Sequence, residues 1–159
     1  MQENSYIQVL IQSLHQKVEA LDSIIEKNQE QYEILSVEEA DMDAFEKNIG
    51  EKSQYIDKIV FLDDGFEEIY ARVKEELDAN RDAHAEEIQT MKDLISMITE
   101  RSMKIQAQEQ RNKELAGMQF SKARKKIRQF KAGNKAASQY YKNMQQIDVV
   151  PPQFLDKKK

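Results

Sequence analysis

Residues 7–35 read IQVLIQSLHQKVEALDSIIEKNQEQYEIL, and the apolar side chains in this stretch recur at alternating steps of three and four. That spacing has a period of 3.5 residues, which places the side chains along one side of an α-helix. A single helix cannot bury such a stripe, so the pattern predicts packing against other helices. The stripe consists of Ile7, Ile11, Leu14, Val18, Leu21, Ile25, Asn28, Tyr32 and Leu35.

A second stripe of the same kind begins after a short polar break. We predict a turn at residues 36–41, where Ser36 and Glu39 have the spacing of a helix capping box. The alternation then passes through Gly65 without losing register, which indicates a continuous helix there, with a local bend. The members of this stripe are Met42, Phe45, Ile49, Lys52, Ile56, Ile59, Asp63, Phe66, Tyr70, Val73 and Leu77.

A third stripe starts at Ile88 and predicts a helix that ends before Gly133-Asn134. Between Leu77 and Ile88 the nonpolar residues are three alanines, which is too few to continue the stripe. We therefore predict a turn near residues 79–82. One continuous helix over residues 78–84 is the alternative.

The predicted fold is all-α: a long antiparallel bundle of three coiled-coil-like helices. We expect these helices at about residues 5–35, 41–78 and 82–131, within one domain at residues 1–131. Residues 132–159 are predicted to form a C-terminal amphipathic segment, either a short helix or a flexible tail.

Composition excludes several classes of chemistry. The chain has no cysteine, which removes disulfides, thiolate metal sites and a cysteine nucleophile. His15 and His84 lack the spacing of zinc ligands, and the adjacent acidic pairs are explained as solvated helix faces. We expect no catalytic residue, no metal and no cofactor. The N-terminal residues do not resemble a signal peptide and no stretch is apolar enough to cross a bilayer, so we expect a cytoplasmic protein without stable membrane insertion.

The charge of the chain changes sign along its length. Residues 1–114 contain 27 acids and 13 bases, whereas residues 115–159 contain 2 acids and 11 bases. The basic part is also amphipathic, because Phe120, Ala123, Ile127 and Phe130 form an apolar stripe among the bases. This stripe either continues the bundle or binds a protein partner. The net acidity of the whole chain argues against nucleic acid, and the short apolar face argues against a membrane surface.

A second group of apolar side chains follows the glycine break. Tyr140, Tyr141, Met144 and Ile147 have helical spacing, and such side chains suit adaptable protein contacts. The segment either folds back onto the end of the bundle or binds another protein. The two interpretations are compatible, since a segment that covers the bundle can be released.

Four features occur in an order that is typical of one known family. The first helix leads into an acidic turn at residues 33–45 (EILSVEEADMDAF), a Glu/Lys-rich helix follows at 46–62, and a polar stretch lies at 106–115 (QAQEQRNKEL) before a basic segment with tyrosines at 122–144. This order resembles the FlgN family of flagellar type III export chaperones. The chain departs from the family in its LDDGF step at residues 62–66 and in Pro151-Pro152.

The resemblance implies a cytoplasmic chaperone that binds and masks the helical termini of hook–filament junction (hook-associated) proteins and delivers them to the type III export gate. It implies no enzymatic activity. By position, the expected client-binding residues are Phe120, Ile127, Phe130 and Met144. Tyr140 or Tyr141 is the expected contact with the export gate.

Two other functions are compatible with the same sequence features. One is a FliT-type chaperone that serves the filament-cap protein. The other is a structural coiled-coil adaptor without a role in export. A chaperone is expected to be a monomer or a weak homodimer, whereas a structural rod would oligomerise through its apolar stripes.

Overall fold

The structure, a computed structural model, describes residues 2–126 and Lys142. Three helices account for most of this part of the chain: α1 (Gln2–Leu35), α2 (Met42–Ala79) and α3 (Ala85–Lys126). No strand occurs among the described residues. The predicted all-α helical bundle is therefore confirmed. The predicted boundary at residues 131 and 132, and the segment that follows it, lie outside the described residues.

Ion pairs between the helices establish their directions. Lys17 contacts Asp63 at 2.8 Å and Lys27 contacts Glu51 at 3.1 Å, so α1 and α2 are antiparallel. Arg101 contacts Asp22 at 3.0 Å near the middle of α1. Further along both helices, Gln119 bonds to the last residue of α1, so α1 and α3 are parallel. Helix α1 packs closely against both other helices, whereas α2 and α3 approach each other less closely.

The two turns differ in part from the sequence-based expectation. Residues 80–84 form a turn that reverses the chain, so the continuous helix over 78–84 is not observed. The capping-box interpretation of Ser36 is wrong, because Asp41 is the N-cap of α2. Its carboxylate accepts hydrogen bonds from the backbone N–H groups of Asp43 and Ala44 at 3.1 and 3.2 Å. Ser36 instead donates its hydroxyl hydrogen to the carbonyl of Tyr32 at the end of α1.

Helix α2 runs through Gly65 without interruption, as the unbroken register predicts. A Cβ atom at Gly65 or at Gly50 would meet nothing within 4 Å, so neither glycine is required by packing within the described bundle. Glycine in the interior of a helix costs about 1 kcal/mol relative to alanine. Both positions therefore lower the stability of α2.

The core is divided into two parts along the bundle axis. We call the first part the apolar half; it comprises residues 7–24 of α1, 59–77 of α2 and 91–105 of α3, and aliphatic and aromatic side chains fill most of it. We call the second part the polar half; it comprises residues 28–35 of α1, 42–52 of α2 and 108–126 of α3. A small apolar cluster around Leu35, Phe45 and Ala116 closes the polar half at the end of the bundle.

Candidate functional site

The predicted client-binding and gate-contact residues lie at and beyond the end of α3. Phe120 is the one of them that the structure describes. It is half-buried and packs edge-on against Phe45, with 6.0 Å between the ring centroids, in the apolar cluster around Leu35. The remaining five residues lie outside the described part of the chain: Ile127, Phe130, Tyr140, Tyr141 and Met144.

The last turns of α3 are attached to the turn between α1 and α2. Gln119 is buried, and its side-chain amide donates to the carbonyls of Leu35 at 3.1 Å and Val37 at 2.7 Å. Its amide oxygen accepts from the backbone N–H of Ala40 at 3.3 Å. Gln119 thus satisfies carbonyl groups that a helix end leaves without an intrahelical partner. This single side chain links α3 to the end of α1 and to the turn before α2, at the point where the basic segment begins.

The basic side chains beside Gln119 contact the same turn from outside. Lys122 donates to the carbonyl of Glu38 at 3.1 Å, and Lys126 forms an ion pair with Glu39. Lys126 and Glu39 are both largely exposed, and exposed ion pairs of this kind contribute little to stability. Arg124 and Lys125 are exposed as well. The end of α3 therefore carries four basic side chains at the surface, two of which contact the turn at residues 36–41.

A buried ion pair lies in the polar half between α2 and α3. The Lys52 ammonium donates to the Glu109 carboxylate and, at 3.0 Å, to the side-chain oxygen of Asn28. Lys52 and Glu109 are 3% and 4% exposed. Burial lowers the pKa of Lys52, and the Glu109 carboxylate opposes that effect. The second carboxylate oxygen of Glu109 has no hydrogen-bond partner among the described residues.

Amide side chains extend this polar layer across the interface with α1. Asn28 donates to the side-chain oxygen of Gln108 at 3.2 Å, and Asn112 donates to the backbone carbonyl of Asn28 at 2.9 Å. On the other side, Gln31 donates to the side-chain oxygen of Asn48 at 3.0 Å. These bonds require one alignment of the three helices, because a shift along the axis would leave buried amides without partners. The hydrogen bonds of the polar half therefore define the register of the three helices.

No described group of three or more histidine, aspartate and glutamate residues could hold a metal ion. His15 is exposed on α1. His84 lies in the turn at residues 80–84, where its ring nitrogen Nε2 is 3.0 Å from the Glu76 carboxylate. The hydrogen bond with His84 is the largest cause that lowers the pKa of Glu76, and a bond from Asn80 adds to it. His84 thus has a structural partner at the reversal between α2 and α3.

Comparison with known families agrees with this arrangement. The family model described as "FlgN protein" matches residues 1–147 of the chain. The chain belongs to the FlgN family. This family consists of flagellar export chaperones that bind flagellar proteins, so the predicted family and the general chaperone role are confirmed. No curated protein and no solved structure matches the chain significantly.

The FlgN match covers the whole bundle and continues over 21 residues past the end of α3. It therefore includes the basic segment and the candidate residues Ile127, Phe130, Tyr140, Tyr141 and Met144. Among the described residues, no helix is long and apolar enough to cross a membrane.

Sequence reasoning missed Gln119 and Glu109. The polar composition of residues 106–115 fits a family pattern but does not indicate that side chains of this stretch lie in the core. One signal was available in the stripes themselves. Asn28 and Lys52 occupy stripe positions that aliphatic residues hold elsewhere, and polar residues at such positions predict a buried polar layer.

Proposed function

We propose that this FlgN-family chain acts in the cytoplasm, where it binds and masks the helical termini of hook-associated flagellar proteins and delivers them to the type III export gate. The observation that carries the proposal is the family match, which extends through the basic segment to residue 147. Termini that self-associate as helices present apolar stripes, and another apolar helix face is suited to cover them. This task needs no cofactor.

The end of α3 supports a binding role for the segment that follows it. Gln119 holds the last turns of α3 against the turn at residues 36–41, so the segment leaves from a fixed point. Phe120 is half-buried beside Phe45, so its exposed part can extend the apolar cluster toward a bound helix. We propose that Phe120, Ile127, Phe130 and Met144 contact the client.

The position of Phe120 determines how the proposal should be tested. A deletion that starts at residue 117 would remove Gln119 and Phe120, which hold the polar half together. A deletion of residues 127–159 leaves all three described helices intact. We expect this shortened chain to unfold at nearly the same temperature as the full chain and to bind purified hook-associated proteins much more weakly, as measured by calorimetry. Equal affinity of both chains would show that the client-binding surface lies on the helices.

Substitutions within the segment separate binding from delivery. Ile127→Ala with Phe130→Ala should weaken client binding, because a few buried apolar anchors dominate most interfaces. Tyr140→Ala with Tyr141→Ala should leave client binding unchanged and reduce the amount of client that a flagellated host secretes. Met103→Ala is a matched control, since Met103 is 66% exposed in the apolar half of α3. Unchanged secretion of the client by the tyrosine variant would contradict the division of roles. Loss of client binding in that variant would contradict it as well.

Two measurements distinguish the alternatives: the binding assay with a second client, and the mass of the free chain. Including the filament-cap protein tests the FliT-type function, since preferential binding of the cap protein would replace the proposed client. The mass of the free chain in solution tests the structural adaptor. We expect a monomer or a weak homodimer, and a stable higher oligomer would favour the adaptor.

A further inference from the structure

The face that α1 and α2 share carries a shallow groove of about 260 Å³. Val9 and Gln12 line it from α1, and Phe61, Gly65 and Ile69 line it from α2. Phe61 is 77% exposed, more than any other large hydrophobic side chain among the described residues, and Val9 is 44% exposed. Val9 and Phe61 thus give the groove an exposed apolar side chain on each of its two helices. We call it the Gly65 groove.

Gly65 supplies a second, independent observation at the same place. It lies in the interior of α2, where glycine is destabilising, and the space above it is empty to a distance of 4 Å. The fold of the described residues therefore does not explain this glycine. Absence of a side chain allows another chain to approach the helix backbone closely, and the empty space lies within the groove.

The charges beside the groove indicate the chemistry of its occupant. Residues 57–69 of α2 carry five acids and one base, and residues 5–16 of α1 carry no Asp, Glu, Lys or Arg. The side chains that line the groove are thus uncharged, and acids flank its α2 side, where Asp63 is paired with Lys17. An apolar segment with basic flanks fits these walls, whereas another copy of the acidic bundle would be repelled.

The chain itself contains a segment with that composition. Residues 127–147 include four bases and no acid, together with the apolar side chains of Ile127, Phe130, Tyr140, Tyr141, Met144 and Ile147. Charge complementarity therefore favours this segment over an acidic partner.

The point where the segment begins also allows it to reach the groove. Lys126 pairs with Glu39, so the segment starts beside the turn that precedes α2. At a helical rise of about 1.5 Å per residue, Phe61 lies about 30 Å along α2 from Asp41. The 14 residues from Lys126 to Tyr140 can span up to about 46 Å when extended, at about 3.3 Å per residue. Tyr140 to Ile147 can therefore contact Phe61 within the same molecule.

We propose that the Gly65 groove is an intramolecular docking site for residues 127–147 of the same chain, with the apolar side chains of residues 140–147 placed over Phe61 and Gly65. Together with the proposed function, this implies that a client or the export gate displaces the segment from the groove when it binds.

The absence of native cysteine allows a single spin label to test this docking in the full chain. Gln12→Cys places a nitroxide at the groove, and Ser96→Cys places one on an exposed position of α3, outside the groove. We expect the groove label to broaden the NMR amide resonances of residues 140–147 strongly and the α3 label to broaden them little. Adding Phe61→Ala to the Gln12→Cys chain should abolish most of the broadening, whereas adding Met103→Ala should not.

A mixture of isotope-labelled chains without a nitroxide and unlabelled chains with one tests whether docking is intramolecular. No broadening is expected in that mixture. Broadening in the mixture would assign the groove to a second copy, and equal broadening from both labels, or none from either, would show that the segment does not dock there. Each of these results overturns the proposal. No client is present, so failure here leaves the proposed chaperone function unaffected.

Discussion

The apolar half and the polar half of this bundle use the same helices and the same stripe spacing, but they differ in what fills the core. In the apolar half, side chains such as Leu10, Leu14 and Val73 are almost completely buried, and they surround one buried lysine, Lys17, which pairs with Asp63. In the polar half, the corresponding space holds the Lys52–Glu109 pair and a layer of amides. The comparison shows that a regular stripe predicts helix packing without predicting how strongly each part is held.

The two halves should differ in stability for a physical reason. Burial of an aliphatic side chain contributes about 1.5–3 kcal/mol. A buried ion pair recovers little more than its own desolvation cost, and removal of one partner leaves an uncompensated charge. The ion pair and the amides of the polar half therefore fix the alignment of the helices and add little to the free energy of unfolding. It is also the half from which the basic segment leaves, so local opening there would change the starting point of that segment.

The largest expected effect comes from breaking the buried Lys52–Glu109 ion pair of the polar half. Lys52→Met leaves the Glu109 carboxylate buried without its partner and should lower the free energy of unfolding by about 3–5 kcal/mol. Adding Glu109→Met should recover most of that loss, because two apolar side chains then replace two charges. Chemical denaturation measures both changes, and Lys47→Met, at an exposed position of the same helix, is the control. No loss in the single variant would mean that the Lys52 pair is not buried as described.

A smaller loss is expected where α3 meets the turn between α1 and α2. Gln119→Ala removes the hydrogen bonds to Leu35, Val37 and Ala40, and water can replace only some of them. We expect the free energy of unfolding, measured by thermal denaturation, to fall by about 1–2 kcal/mol. We also expect faster proteolysis in the turn at residues 36–41. Gln106→Ala, at an exposed position of α3, should neither lower the stability nor speed proteolysis of the turn. Equal effects of the two changes would show that Gln119 does not fasten the turn.

A substitution at Gly50, in the polar half, is expected to raise the stability. A Cβ atom at this position meets nothing within 4 Å, so Gly50→Ala should add about 1 kcal/mol to the stability of α2. Denaturation and hydrogen exchange should both report the gain. A loss of stability would indicate that the space around Gly50 is filled in solution.

The smallest expected effect depends on pH and concerns the turn beyond the apolar half. The pKa of Glu76 lies below the ordinary value of 4.5 because His84 and Asn80 donate hydrogen bonds to its carboxylate. The folded state therefore binds this proton more weakly than the unfolded state. The stabilisation is present above pH 4.5 and is lost as the pH falls through the lowered pKa. Glu76→Gln should be less stable than the natural chain near pH 7, and the difference should shrink toward pH 3; a difference that is constant with pH would contradict the assignment.

The sequence predicted the three helices because each stripe holds its register over many turns. It could not predict how wide the buried face of α1 is. Because α1 packs against two helices, Leu10 and Ile24 are buried although they lie outside the stripe. The N-cap of α2 was missed for a related reason, since Ser36 and Asp41 both carry suitable acceptors and only the path of the turn selects Asp41.

The functional region was predicted less completely. Asn28 and Lys52 revealed polar positions in two stripes, but their pairing with Gln108 and Glu109 depends on the rotation of α3 about its axis. Gln119 carried no signal, because a glutamine that bonds to the backbone of a distant turn looks like any surface glutamine in sequence. The family resemblance predicts Phe120 as a client contact, and only the structure shows that it also packs against Phe45.

Native-state hydrogen exchange, followed residue by residue in low denaturant, tests the difference between the two halves most directly. We predict that amides at residues 42–52 and 108–119 exchange through a local opening of lower free energy than amides at residues 59–77 and 91–105. The double change Lys52→Met with Glu109→Met should reduce this difference. Equal free energies of opening in both halves, each matching global unfolding, would contradict the account.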